Sequence, residues 1–336
     1  AGVNPSTVSR ALRNDQNVSK KRREQIIRIA DELGYRPNPF VQAFTAHVRG
    51  YRRLPSHAPI ALLNTRHSSK EEISYELDNE GAATYAHKMG YKIEPIHIDS
   101  VKGSFSRLKD VLTARGIRAL LVFPPTELTH MPELEDFPMA MATIDYSLKK
   151  PNLHRATPSY FQNMEMALSI CAQKGYKRMA FCTYRQEVDR IGMHWMGAFC
   201  GWRDLQAPEQ QVPIHYNPYI SNGKKNNRPQ DWQYFKDDFY EWLDRENPDL
   251  IIANSLFFYH WLKERGFNFP EDIGFVHLGL NSSEEHVSGV DQNHRQIGAG
   301  AVELIVNQLQ KNTQGVPSSM QTVLTYGTWL EGGTTR

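Results

Sequence analysis

The chain has 336 residues, 40% of them apolar and 23% charged, a balance that describes a soluble globular protein rather than a disordered one and a length that exceeds one ordinary core. No apolar run approaches the roughly 18–20 residues of a membrane-spanning helix, and no basic segment followed by an apolar stretch marks a secretory signal. The net charge of +2 hides a segregation, since residues 1–56 carry 11 Lys/Arg against 4 Asp/Glu while the rest is net acidic, the footprint of a small head for nucleic acid or a membrane surface on a larger body.

At the front, Asn4 and Pro5 read as the cap and first residue of a short helix. The asparagine can accept from an otherwise orphan backbone N–H, and proline has none to lose. This helix, residues 5–13, puts Val8 and Leu12 on one face and Ser6, Ser9, Arg10 and Arg13 on others. After a turn at 14–17, Ser19 caps a second helix with an apolar stripe of Ile26, Ile29, Ala30 and Leu33, ended by Gly34. Pro37 and Pro39 then break the chain, and the pattern from Phe40 to Val48 suits a short third helix too thinly apolar to stand alone.

From Pro59 onward helix and strand alternate. The run 59–64 is a short strand, helix 76–88 leads through Gly90-Tyr91-Lys92 into strand 93–98, and helix 104–114 leads into strand 117–123. Helix 161–173 then turns through Gly175-Tyr176-Lys177 into strand 178–183, and the runs 248–254 and 272–278 repeat the pattern. The echo around positions 90 and 175 predicts two similar α/β halves. Their near-continuous apolar strands predict parallel sheets covered by helices on both faces.

Ligands of such sheets bind beyond the C-terminal strand ends. That rule selects Asn64, Arg66 and His67 after the first strand, Asp145 and Tyr146 after 139–144, and Tyr184, Arg185, Asn254 and His277 in the second half, with Gln292 on a connection. Each is also compatible with ordinary loop chemistry. Gly298-Ala299-Gly300 lacks the third glycine and upstream strand of a dinucleotide site and reads as helix packing. The 13 histidines show no metal-ligand spacing. Cys171, Cys182 and Cys200 read as reduced thiols of a cytosolic protein. The aromatic and basic stretch 216–243 is interrupted by acids and reads as a loop feeding an amphipathic helix.

The front carries a resemblance. Ala1-Gly2-Val3 with Thr7-Val8-Ser9-Arg10 and Leu12, then Val18-Ser19 with Arg23, then the Leu33–Asn38 run LGYRPN, resemble the helix-turn-helix headpiece of the lactose-repressor/galactose-repressor family of bacterial transcription regulators. The resemblance implies that Pro5, Ser6 and Arg10 reach base edges in the major groove, while Thr7, Ser9 and Asn14 contact phosphate or sugar and Asn38 joins the DNA-contacting set. Arg10 has the rigid fork that can bond a guanine edge in two places; the other reading is a solvated helix charge. Phe44 falls where the family wedges a leucine into the minor groove, or packs against its partner helix or the core. Arg49, Arg52 and Arg53 either trail the phosphates or form a solvated linker. The pattern begins inside the turn of the motif, which predicts an N-terminally truncated form, disordered or misdocked over about residues 1–50 and weak in DNA binding.

For the body, the resemblance rests on residues 270–276 and 289–309. It implies two doubly wound Rossmann-like subdomains, periplasmic-binding-protein-like, behind a partial all-α headpiece and hinge. The implied divisions are 1–38 for the headpiece, 39–57 for the hinge, 58–155 with 286–316 for one subdomain, and 156–285 with 317–336 for the other. The family's effector-gripping arginine is replaced by His194, and both acids of its usual Gly-Phe-Asp-Asp are lost at His277-Leu278-Gly279-Leu280. The implied protein is a cytoplasmic homodimeric regulator, probing operator DNA under control of a small effector such as a sugar, with no cofactor and no enzymatic step. The alternatives are a periplasmic-type ligand-binding protein without a DNA role and, more remotely, an enzyme on the same scaffold.

Overall fold

The computed structural model describes residues 3, 4, 7, 8, 11 and 18–32 of a smaller unit, Ala1–Ser56, and residues 57–65, 73–123, 125, 128–217, 229–280 and 286–336 of a larger one, His57–Arg336. In the smaller unit the helix α1 (Lys20–Glu32) begins at Ser19, whose carbonyl accepts from the N–H groups of Arg22 and Arg23 at 3.1 and 3.0 Å. Of the expected stripe, Ile26 is buried and Ile29 and Ala30 are half-buried. Ile26 packs with Ala11 and Val18, and Val3 and Val8 lie against them. Leu33 and residues 39–56 of the expected hinge lie outside the described residues. The expected poor order of the front falls largely on such residues as well, whereas α1 is a formed helix.

The larger unit runs β1 (Ala58–Asn64), α2 (Ile73–Lys88), β2 (Tyr91–His97), α3 (Phe105–Ala114), β3 (Ala119–Val122), β4 (Thr129–His130), β5 (Ala140–Ile144), β6 (Leu148–Lys150) and β7 (His154–Pro158). It continues with α4 (Tyr160–Gln173), β8 (Met179–Tyr184), α5 (Arg185–Arg190), α6 (His194–Arg203), β9 (His215–Asn217), α7 (Pro229–Glu246), β10 (Leu250–Ala253), α8 (Phe257–Glu264), β11 (Gly274–Leu280) and β12 (Ser288–Asp291). Helix α9 (His294–Lys311) and the strands β13 (Thr322–Thr325) and β14 (Thr328–Leu330) follow. Ser104 lies outside the helix it was read into and acts as its cap, its hydroxyl accepting the Arg107 N–H at 3.3 Å. The Gly-Tyr-Lys echo has a backbone cause. Gly90 and Gly175 take φ of 80° and 89°, the left-handed turn that lets a helix stop and a strand begin.

Two six-stranded sheets result, ordered β13-β7-β5-β3-β1-β2 and β14-β12-β11-β10-β8-β9. Neighbours are parallel, except that β14 runs antiparallel to β12. Successive residues of β1 face opposite sides: Ile60 and Leu62 pack with Ala82 of α2 and Ile297 of α9, whereas Ala61 and Leu63 pack with Leu108 and Leu112 of α3. Because both faces are covered, an alternating pattern would place a polar group in one core or the other, and the strand is apolar up to its last residue, Asn64. The second sheet repeats this with α4 and α6 on one face and α7 and α8 on the other. The aromatics of stretch 216–243 whose side chains are described serve that packing, with Phe239 and Trp242 buried beside Phe258. Burial pushes the Cys171 thiol up to about 12, so it stays protonated and serves as packing.

The crossings between halves lie later than expected. They fall at Ser159 after β7, at residues 292–293 before α9, and at residues 326–327 between β13 and β14, rather than near 155, 285 and 316. Strand β12, expected in the first subdomain, pairs with β11, and β13, expected in the second, pairs with β7. Both are short, and membership in a sheet is decided by partners far away in sequence. Among the described residues, no helix is long and apolar enough to cross a membrane.

Gly298 belongs to a helix crossing, as its sequence context predicts. A Cβ on Gly298 would stand 1.9 Å from the Asp78 carbonyl oxygen, and one on Gly81 would stand 1.9 Å from the Arg295 carbonyl oxygen. Helices α2 and α9 therefore approach backbone to backbone. Gly298→Ala is expected to cost about 1–3 kcal/mol by overpacking. Gly197→Ala, in α6 with open space around the new methyl group, is expected to stabilise by about 0.5–1 kcal/mol. Urea unfolding midpoints of the two variants check both signs.

Candidate functional site

Of the residues expected to contact DNA, Thr7 is half-buried and its N–H donates to the Asn4 carbonyl at 2.8 Å. Pro5, Ser6, Ser9, Arg10, Asn14, Asn38 and Phe44 lie outside the described residues.

In the larger unit, the C-terminal ends of the two sheets enclose a cavity of about 430 Å³. The first half contributes Tyr75 and Asp78 of α2, Phe123 and Pro125 beyond β3, Ile144 and Asp145 at the end of β5, Pro158, and His294 and Ile297 of α9. The second contributes Tyr160, Tyr184, Glu187, Arg190, Trp195, Asn254, Ser255, His277 and Gly279, and Gln292 lies on the connection. Asp145, Tyr184, Asn254, His277 and Gln292 are thus brought together as the strand ends predict. Asn64 stands behind the wall, its amide donating to the Tyr75 hydroxyl at 3.2 Å. Tyr146, Arg185 and His194 do not line the cavity: Tyr146 has its ring centroid 4.7 Å from that of His194 and the Arg155 guanidinium over its face, and Arg185 lies 5.8 Å from the Tyr216 ring centre. Arg66 and His67 lie outside the described residues.

The guanidinium in the cleft comes from Arg190, at the end of α5, while His194 packs on Tyr146. Arg190 pairs with Asp145 from the first half and Glu187 from its own helix, and it also reaches the Ser147 hydroxyl at 3.1 Å. Asp145 occupies a left-handed conformation, φ 62°, which a short acidic side chain tolerates better than most. Its Oδ1 accepts from the Tyr146 N–H at 2.7 Å and the Tyr160 hydroxyl at 3.0 Å. Burial alone pushes the Asp145 carboxyl up, but the Arg190 charge and these hydrogen bonds outweigh it and hold the group below the usual carboxylate range. The pair consequently remains ionised and bridges the two halves.

A second polar pair lies on the first wall, where His294 Nδ1 and Asp78 Oδ1 are 3.0 Å apart. Burial lowers the imidazole's proton affinity, but the bond and charge of Asp78 raise it further, so the net shift is upward. Gln292 is held by a 2.6 Å bond to the Leu278 carbonyl. Among the polar atoms of the lining side chains, the Trp195 indole Nε1 and the Asn254 Oδ1 are buried without a hydrogen-bond partner, which marks them as groups a ligand can satisfy.

Strand-end reasoning missed Tyr75, Asp78, Tyr160, Arg190, Trp195 and His294 because all six sit on helices. A signal was present for one: Asn293-His294 directly follows the Gln292 that was selected. No comparable signal marks Asp78, whose place depends on the glycine crossing of α2 with α9. Among the described residues, no group of three or more His, Cys, Asp or Glu side chains could hold a metal ion.

Residues 1–38 match the model of the bacterial regulatory proteins of the lacI family. Among solved structures, the chain resembles a transcriptional regulator CelR in complex with cellobiose, at 17% identity and TM-score 0.59, covering 99% of this chain and 96% of that one. It also resembles a periplasmic binding protein/LacI transcriptional regulator from Alkaliphilus metalliredigens complexed with D-xylulofuranose, at 14% and 0.57, covering 83% and 99%. The lac repressor dimer bound to operator and an anti-inducer matches at 14% and 0.57, covering 99% and 96%. At such identities the likeness is one of fold. No curated protein matches the chain in sequence.

Since the His294 proton affinity is raised on folding, its ion pair with Asp78 contributes fully below the unfolded value of about 6.5 and is lost as pH rises through the higher folded value. His294→Gln is therefore expected to lower the thermal midpoint most near pH 6 and progressively less toward pH 9. A difference constant across that range would show that the imidazole is uncharged.

Proposed function

We propose that this chain, which carries the lacI-family sequence of bacterial regulatory proteins in residues 1–38, is a DNA-binding transcription regulator whose larger unit takes a small effector in the cleft between its two sheets. The observation that carries the reading is the conjunction of that front sequence, rich in Lys and Arg, with a body whose cavity is closed by polar groups from both halves. Two of the similar structures hold sugars, and among the described residues five aromatic side chains line this cavity, which supports a hydroxylated ring-sized effector. Repression as a homodimer is the proposed mode of action, because a two-fold protein matches a pseudo-palindromic operator.

Control follows from the three connections between the halves. A ligand that bonds Asn254 and Trp195 on one wall and Asp78 or His294 on the other prefers one angle between the sheets. It shifts the population only by its difference in affinity for the two arrangements. Within this reading Arg10 reads a base edge, Pro5 and Ser6 make shorter contacts beside it, and Thr7, Ser9, Asn14 and Asn38 hold the backbone. Phe44 enters the minor groove. The machinery is one of binding, with no chemical step assigned.

The test is selection of binding sites from random duplex DNA by the full chain, followed by a salt series. A palindrome-like site is expected, with affinity falling at least about 100-fold between 50 and 200 mM salt. Arg10→Ala is expected to relax one operator position by about 1–3 kcal/mol, while Phe44→Ala weakens all sites together. No selected site and a flat salt response would overturn the reading.

A further inference from the structure

The cleft's charge and hydrogen-bond inventory goes further than its shape. Among the described residues, Asp78, Asp145 and Glu187 line it with the guanidinium of Arg190 and the imidazoles of His277 and His294. Arg190 offers little to a ligand: its Nε and Nη2 go to Glu187, and its Nη1 goes to Asp145 and Ser147. Four of the five N–H bonds of a guanidinium are thereby committed. Other donors are committed as well. The Tyr160 hydroxyl donates to Asp145, that of Tyr184 to Ser255, and the Gln292 amide to Leu278. Against these, Asn254 Oδ1 is an acceptor without a partner, and Asp145 and Glu187 have acceptor capacity beyond their bonds to Arg190, Tyr146 and Tyr160.

An anionic ligand entering this cavity meets an excess of carboxylates with no cation among the described lining residues left to clamp it. A ligand carrying its own positive charge and N–H donors meets what it lacks, and Tyr75, Phe123, Tyr160, Tyr184 and Trp195 line the cavity with aromatic rings, whose faces attract cations. We propose that the effector bears a protonated amine on a polar, ring-sized skeleton of the amino-sugar type, and that sugar phosphates and sugar acids are rejected. The Trp195 indole N–H, buried without a partner, takes an acceptor on the skeleton. The amine sits on the side of the cavity where Asp145 and Glu187 flank Arg190. This assignment rests on the reading of the cleft as the effector site.

The experiment is calorimetric titration of the full chain at pH 7 with matched sets on common skeletons: amino sugars, their neutral hydroxyl counterparts, and the corresponding sugar phosphates and acids. The amines are expected to bind at least about ten-fold more tightly than their neutral partners, with the anions weakest. Glu187→Gln, shown folded by its thermal midpoint, is expected to bring the amine-to-neutral ratio close to one. Asp145→Asn, at the other carboxylate beside Arg190, provides the same ratio should the first variant fail to fold. Neutral or anionic members binding as well as the amines would overturn the charge assignment and leave the cleft an effector site. If no member of any set binds while operator binding is intact, both readings fall.

Discussion

Arg190 is shared between Asp145 and Glu187, and the character of the cleft follows from that sharing. One guanidinium bonded to both carboxylates offsets their like charge beside a buried aromatic surface. Because Asp145 ends a strand of the first sheet and Arg190 ends a helix of the second half, the same contact that satisfies the charges also ties the two walls together. It leaves the cavity with acceptors to spare and few donors. Removing either partner would strand a charge in low dielectric, which is far more costly than the net worth of the intact pair.

The opposite wall depends on a different constraint, the absence of two side chains. Helices α2 and α9 come within backbone contact only because Gly81 and Gly298 have no Cβ. That approach places Asp78, three residues before Gly81, against His294, four residues before Gly298. A crossing wider by one methyl group would separate the pair. Packing and polar chemistry are here one geometric fact: the residues that let the helices touch are those that bring the site's charges together.

Much of the fold was legible because the covering of both sheet faces leaves little freedom in the sequence. Strands β1, β3, β8 and β10 are apolar on both sides, and each glycine-containing turn before a strand is a local requirement of the backbone. The strand-end rule found five of the cavity's residues for the same reason, since a parallel strand presents its last residues to the open end of the sheet. What it could not find were side chains reaching in from helices. Tyr75, Asp78, Tyr160, Arg190, Trp195 and His294 have apolar or charged neighbours like those of any amphipathic helix, and their direction is set by how the helix docks. The sequence put His194 in the place of the family's effector-gripping arginine and offered Arg66 and Arg185 at strand ends. The structure supplies the guanidinium from Arg190, four residues before His194, across the short turn between α5 and α6.

The sequence by itself determined that the chain has a basic front segment and an α/β body of two similar halves, because composition, strand hydrophobicity and turn glycines are all local properties. It also carried the residues of the front pattern that the family model matches. Only the tertiary structure decided which sheet claims β12 and β13, which arginine enters the cleft, and which two helices touch through glycine. Those outcomes rest on partners more than a hundred residues apart in several cases, as with Asp78 and His294 or β7 and β13, and no window of sequence contains both members of such a pair.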